Sequence, residues 1–236
     1  MLIHFFDFLF RGMLVIGAFV MMFNNFREIR RNRKENENRR VLKYYHTVFN
    51  VIPIYLNYIT SVLIGLSIFR VGSFLHILQN GEMWMGIGID PEKAIVFLDT
   101  AEILEFQWAI IAVGIIGCAL YIFLCMLMTM SFAKLGKNLS VNIDIKEGNT
   151  LVRSGVYRVI RHPIYLCEMM MPFAVALAMQ NWLLILWGFV MVPIEVIRAN
   201  KEDELLEHHY GESFVSYKSD VNRFFPKNIG RKKWIR

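Results

Sequence analysis

Long uncharged runs alternate with short, strongly charged stretches along this chain, and that alternation predicts most of its architecture. Residues 1–23 are apolar apart from His4, Asp7 and Arg11, and the last two stand at i, i+4, where a helix lets them neutralise each other. Residues 44–69 and 106–133 carry no charged side chain, and residues 164–197 are interrupted by Gln180-Asn181, Pro172 and Pro193. A helix needs about 20 residues to cross a hydrocarbon core of about 30 Å, so each of the first three runs predicts one crossing. The fourth is flanked by cations at both ends, which asks for an even number of crossings. Two arms of about 16 residues reach only about 24 Å each, so the expectation is a short hairpin turning at Gln180-Asn181. The predicted fold is an all-α polytopic membrane protein of about five transmembrane helices.

The charged stretches set the orientation. From Arg27 to Lys43 there are eight Lys or Arg against three Glu, which predicts a basic cytoplasmic loop over residues 24–43. From His76 to Glu105 the balance reverses to six acidic residues and one lysine, and Gly81, Gly86, Gly88 and Pro91 interrupt the pattern, as in an outer loop. Residues 134–161 are again polar and basic, with Gly136, Gly148 and Gly155 as turn points, and residues 199–236 begin as a helix and end in Arg231-Lys232-Lys233. The chain therefore divides into N-terminal helices over 1–133 and a core over 134–236.

Composition agrees, with 56% hydrophobic and only 19% charged residues in 236. The net charge of +6 sits beside apolar runs, so membrane lipids with anionic headgroups are the expected partners and nucleic acid is not. Cys118, Cys125 and Cys167 lie in apolar segments without ligand spacing, and His208-His209 lack a third ligand, so no metal site is expected.

Two clusters carry candidate chemistry. Tyr157, Arg158, Arg161 and His162 precede Pro163, a residue suited to the first turn of a helix, whose free N–H groups favour a carboxylate or phosphate. The same cations also suit simple anchoring at headgroups. Glu195, Arg198 and Glu202 fall at i, i+3 and i+7 on one helix face, where Arg198 is suited to gripping an anion and Glu202 to accepting from an ammonium. Their spacing equally fits an interfacial ion pair. Glu168 is a third acidic group inside the hairpin. If the hairpin is as predicted, His162 enters and Glu202 leaves on one membrane side.

The blocks Leu135-Gly136-Lys137-Asn138, Asn149-Thr150-Leu151-Val152, Ser154-Gly155-Val156-Tyr157 and Arg161-His162-Pro163-Ile164-Tyr165 occur in order, followed by Arg198, Glu202-Asp203, Tyr210-Gly211, Tyr217 and Arg223-Phe224 to Pro226. This series resembles the isoprenylcysteine carboxyl methyltransferase family, which is similar in turn to the phospholipid N-methyltransferases. The resemblance implies S-adenosyl-L-methionine as methyl donor, contacted by Asn142, Asn149, Thr150, Leu151, Val152, Tyr157, His162, Pro163, Ile164, Tyr165 and Glu202. It implies Arg198 and Glu202 as catalytic, with Arg198 holding a lipophilic or prenylated acceptor whose carboxylate is methylated. Asn149, Val156, Cys167 and Asp203 depart from the commonest residues at their positions, which bears on the acceptor. A phospholipid amine or small thiol as acceptor, an NADPH-dependent membrane reductase, and a non-catalytic lipid-binding scaffold are the other readings.

Overall fold

A computed structural model of the chain describes residues 2–36, 39–44, 47–68, 100–140 and 142–227. Helices α1 (Leu2–Asn36), α2 (Thr47–Ile68), α3 (Thr100–Leu135), α4 (Pro163–Met179), α5 (Trp182–Tyr210) and α6 (Glu212–Asp220) account for most of them, together with strands β1 (Val41–Tyr44) and β2 (Asp144–Lys146). Among the described residues three stretches are long and apolar enough to cross a membrane, Phe8–Arg31, Trp108–Asn138 and Leu183–Tyr210, and α4 is a shorter apolar helix. The chain is an all-α membrane protein in this sense. By internal contacts it divides into two compact units, one of Met1–Val20, Leu56–Cys125 and Met169–Val192, the other of Met21–Tyr55, Met126–Glu168 and Pro193–Arg236.

Several boundaries differ from the expected ones. α1 does not stop near residue 23 but continues to Asn36, at about 52 Å well beyond what a bilayer core needs. Arg, Lys, Glu and Asn are all tolerated in a helix, so the basic stretch extends the first helix by more than three turns. Val41–Tyr44, at the end of that stretch, forms β1, which pairs antiparallel with β2, Val41 opposite Lys146, Lys43 opposite Ile145 and Tyr44 opposite Asp144. The shift of register between Val41 and Lys43 is a bulge of one residue. α3 begins at Thr100, so Glu102 and Glu105 are helical rather than part of an outer loop. The rest of that expected loop, with Gly81, Gly86, Gly88 and Pro91, lies outside the described residues, as do Arg231-Lys232-Lys233 and the Asp7 side chain expected to pair with Arg11.

The hairpin turns at Gln180-Asn181, as its polarity predicts. Gln180 takes a left-handed φ of 50° and the Asn181 amide reaches back to the Ala176 carbonyl at 3.0 Å, closing α4. Asn181 then caps α5, its Oδ1 accepting from the Leu183 amide at 3.0 Å. Gln180 is held in its uncommon conformation by donating from Nε2 to the Ile110 carbonyl of α3 at 3.0 Å. The arms are unequal, 17 residues in α4 and 29 in α5. Pro172 and Pro193 do not break them; both helices run through, as helices do where neighbouring groups satisfy the freed carbonyl.

Within the first unit, small residues let helices approach closely. A Cβ on Gly117 of α3 would stand 2.2 Å from the Ala178 backbone nitrogen, and one on Gly188 of α5 would stand 2.6 Å from the Phe173 ring. Phe173 can turn, whereas the Ala178 backbone cannot. Gly117→Ala is therefore expected to destabilise the protein by about 1–3 kcal/mol through overpacking, seen as a lower thermal unfolding midpoint in detergent. An unchanged midpoint would mean that α3 and α4 part easily at this contact. The three cysteines are buried and unbridged.

Candidate functional site

All the candidate side chains lie in the second unit, and α4 and α5 position the central ones. His162 caps α4, its carbonyl accepting the first helical bond from Leu166 at 3.1 Å, and Pro163 follows as the first helical residue. The extended backbone before Pro163 is fixed from the C-terminal side, because the Arg161 amide donates to the Asn222 carbonyl at 2.9 Å and the His162 amide to the Arg223 carbonyl at 3.0 Å.

The positive end of this helix is met by the chain's own carboxylates rather than left for an outside anion alone. His162 Nε2 lies 2.8 Å from Asp203 Oδ1, and His162 Nδ1 lies 3.4 Å from Glu202 Oε2. Asp203 Oδ2 also accepts from Arg161 Nη2 at 3.0 Å and from Arg223 Nε at 2.8 Å. Asp203 is 1% exposed, so it is a buried carboxylate shared by two guanidinium groups and an imidazole. Glu202 differs, with 35% of its side chain still exposed, so it has room for a further donor. Burial alone pushes the His162 imidazole down, but its bonds to Asp203 and Glu202 outweigh burial and hold it above the ordinary histidine value.

Tyr165, one turn into α4, joins this cluster to a second one. Its ring stacks on His162 with centroids 5.4 Å apart and an interplanar angle of 18°. The Arg198 guanidinium lies 4.7 Å from the same ring, within cation–π range. Arg198 Nη1 in turn donates to Glu168 Oε2 at 2.9 Å and to Glu195 Oε2 at 3.1 Å. The spacing places Glu195, Arg198 and Glu202 on one helix face, with an i, i+4 ion pair of Arg198 and Glu202 as its plain reading; the structure instead pairs Arg198 with Glu195, which is fully buried, and with Glu168. Tyr157 is buried, and burial followed by the nearby Glu202 charge pushes its phenol well above the usual tyrosine value, so it is a neutral donor.

Residues 142–152 form an irregular loop around β2. Gly136, Gly148 and Gly155 all have positive φ (51°, 75° and 64°), so all three expected turn points are turns that favour glycine. Ile143 and Ile145 are buried against Leu205, three residues beyond Glu202 on α5, and Leu151 packs against the cluster of Phe214, Tyr217 and Val221. Asn142 is exposed. The Thr150 amide is already used, donating to Asn138 Oδ1 at 2.9 Å, and the Asn149 side chain accepts from Arg39 Nη2 at 2.9 Å. Of the run 149–152, Leu151 and Val152 have no hydrogen bond to their backbone groups among those described.

The structure thus brings His162, Tyr165, Arg198 and Glu202 into one connected set. Asp203, in the sequence only a departure from the commonest residue, is the hub of this cluster, and Arg161 neither faces an outside anion alone nor sits at the headgroups. Arg161 is instead buried, donating to the Lys218 and Val221 carbonyls at 3.0 and 2.9 Å as well as to Asp203. The adjacency of Arg161 and His162 was the available signal, because two neighbouring cations ahead of an apolar helix need an internal anion once they are buried. Tyr217, which donates to the Tyr157 carbonyl at 2.5 Å, was read only as part of a resemblance.

Residues 112–213 match the family model of phospholipid methyltransferases, a family that includes proteins like the isoprenylcysteine carboxyl methyltransferases. The matched stretch contains α4, α5, β2 and the clustered side chains up to Asp203, and it supports a membrane methyltransferase. No curated protein matches the chain.

Proposed function

We propose, on the premise of a membrane methyltransferase, that the chain takes S-adenosylmethionine as donor and methylates a lipid-like acceptor on the cytoplasmic side of the membrane. The observation that supports this most is the asymmetry of the two adjacent carboxylates. Asp203 is consumed by internal cations, whereas Glu202 combines a bond to His162 with an exposed edge. A fixed carboxylate with room beside it suits the ammonium of an amino acid moiety, so the donor set fits this cofactor. Tyr157 is the ring available to lie against a sulfonium, since Tyr165 is already stacked on His162 and covered by Arg198. Leu151 and Val152 offer free backbone groups to the polar parts, and His162, Pro163, Ile164, Asn142, Asn149 and Thr150 complete the shell that the resemblance implies.

When bound, the donor supplies an electrophilic methyl group on sulfur. The residues of this chain have to orient and dry that centre, since an in-line displacement depends on positioning and on electrostatics in a water-poor site. His162, stacked on Tyr165 and locked by Asp203, fixes the start of α4. Glu195 and Glu168 fix the Arg198 fork. A prenylcysteine-type carboxylate would bind Arg198 by displacing Glu168, the more exposed of its two glutamates. Arg198 would hold that carboxylate's oxygen in line with the methyl group the donor would supply, and a carboxylate acceptor would need no residue to remove a proton. The pair of glutamates on one arginine favours a second reading, in which a phospholipid amine is the acceptor and Glu168 takes the released proton. In either case α2 and α4 join the three longer helices in the bilayer, giving five crossings.

Membranes containing the protein, incubated with donor labelled in its methyl group, are expected to yield labelled lipid-soluble product. A base-labile methyl ester marks the carboxylate acceptor, and a base-stable methylated headgroup marks the amine. Consumption of NADPH with no methyl transfer would overturn both.

A further inference from the structure

The basic stretch between α1 and β1 has so far no role beyond orientation, yet its last members are built into the loop that precedes the site. Arg39 Nε donates to the Glu147 carbonyl at 2.5 Å, Nη1 to the Lys137 carbonyl at 2.9 Å and Nη2 to Asn149 Oδ1 at 2.9 Å. One guanidinium thus ties together two segments that lie ten residues apart, using three of its five N–H groups. The Glu147 amide donates back to the Arg40 carbonyl at 2.9 Å, and β1 then pairs along β2. Gly148, between the two clamped residues, has a left-handed φ of 75°, and a Cβ there would come within 3.2 Å of Arg39 Nη2, so the turn and the guanidinium are fitted to each other. On its other side the same strand is seated on α5, where Ile143 and Ile145 pack against Leu205.

We propose that Arg39 is a positioning residue for donor binding, holding the 147–149 turn so that the backbone of residues 151–152 is presented to the cofactor beside Glu202. The inference rests on the proposed donor. It assigns a function to a segment that lies well before residue 112, where the family match begins. Asn138 holds the loop from the other side, through its bonds to the Thr150 amide and, at 3.4 Å, to the Thr150 hydroxyl. Arg39 thus supplies a side-chain link from this loop to the segment before β1, beside the backbone pairing made by Arg40 and β1. A lysine has the charge but not the fork, so it reaches one acceptor where arginine reaches three.

The test uses the full chain in lipid nanodiscs, comparing wild type with Arg39→Ala, Arg39→Lys and the milder Asn149→Ala. Binding of S-adenosylhomocysteine is followed by calorimetry, amide exchange is followed across residues 142–152, and donor KM and kcat are measured separately. Arg39→Ala is expected to weaken binding by roughly tenfold, the scale of a lost charge-assisted hydrogen bond. Donor KM should rise in proportion, kcat should stay within about twofold, and exchange should quicken at Glu147 and Asn149. Arg39→Lys should behave like Arg39→Ala, and Asn149→Ala should shift both readouts less but in the same direction. Unchanged exchange in the loop, or quickened exchange with unchanged affinity, would overturn the inference. Failure of the wild type itself to bind would instead count against the donor, and the exchange measurement would still report on the clamp.

Discussion

Glu202→Gln is expected to lower kcat/KM by about 100-fold or more, with the protein still folded and inserted. The substitution keeps the shape of the side chain and removes only its charge. His162 retains its 2.8 Å contact to Asp203, so the start of α4 stays in place. What is lost is the one carboxylate of the cluster that combines contact to the buried ring with an exposed edge. The loss should appear mainly as a raised donor KM, because an ammonium partner binds ground state and transition state alike. Steady-state kinetics at varied donor concentration check this. Equal activity of the variant and the wild type would show that the ammonium is held elsewhere.

The second large effect belongs to Asp203 and is first of all one of stability. Asp203→Asn leaves Arg161, His162 and Arg223 without their shared anion, and breaking a buried ion pair by removing one partner costs about 3–5 kcal/mol. Thermal unfolding in detergent should show it as a much lower midpoint, and a shift no larger than that of an exposed carboxylate would contradict the assigned role. The pH dependence gives a sharper signature. The folded value of His162 is raised, so its proton stabilises the fold fully below the unfolded value, about pH 6.5, and this contribution is lost as pH rises through the folded value. Wild type should therefore lose stability on moving from acid to alkaline pH across that window. Asp203→Asn removes a main cause of the raised value and should flatten the loss.

The features legible in the sequence are those set by local pattern. The hairpin turn at Gln180-Asn181 follows from two polar residues inside an apolar run, the helix start at Pro163 and the three glycine turns each from one residue's conformational preference, and the structure has all of them. Helical spacing alone puts Glu195 on the same face as Arg198, although the ion pair it suggests is the i, i+4 one with Glu202. The features missed are those set by long-range pairing. Nothing local distinguishes Asp203, 41 residues from His162, from the exposed Glu204 beside it, and nothing in Arg39 separates it from the other cations of its stretch. The strand β1 was hidden for the same reason, since four residues next to a basic run form a strand only because β2 is there to pair with them. The long extension of α1 was missed because charge was read as the end of a helix, although charge ends only the part that suits lipid.

On the proposed function, His162, Tyr165 and Glu202 form one seat for the ammonium end of a sulfonium nucleoside. Calorimetric titration of the purified full chain with S-adenosylhomocysteine tests it most directly. Saturable binding at a single site, lost in Glu202→Gln while the thermal unfolding midpoint is kept, is the predicted result. A folded wild-type protein that takes up no ligand, or a Glu202→Gln variant that binds as tightly as the wild type, would contradict it.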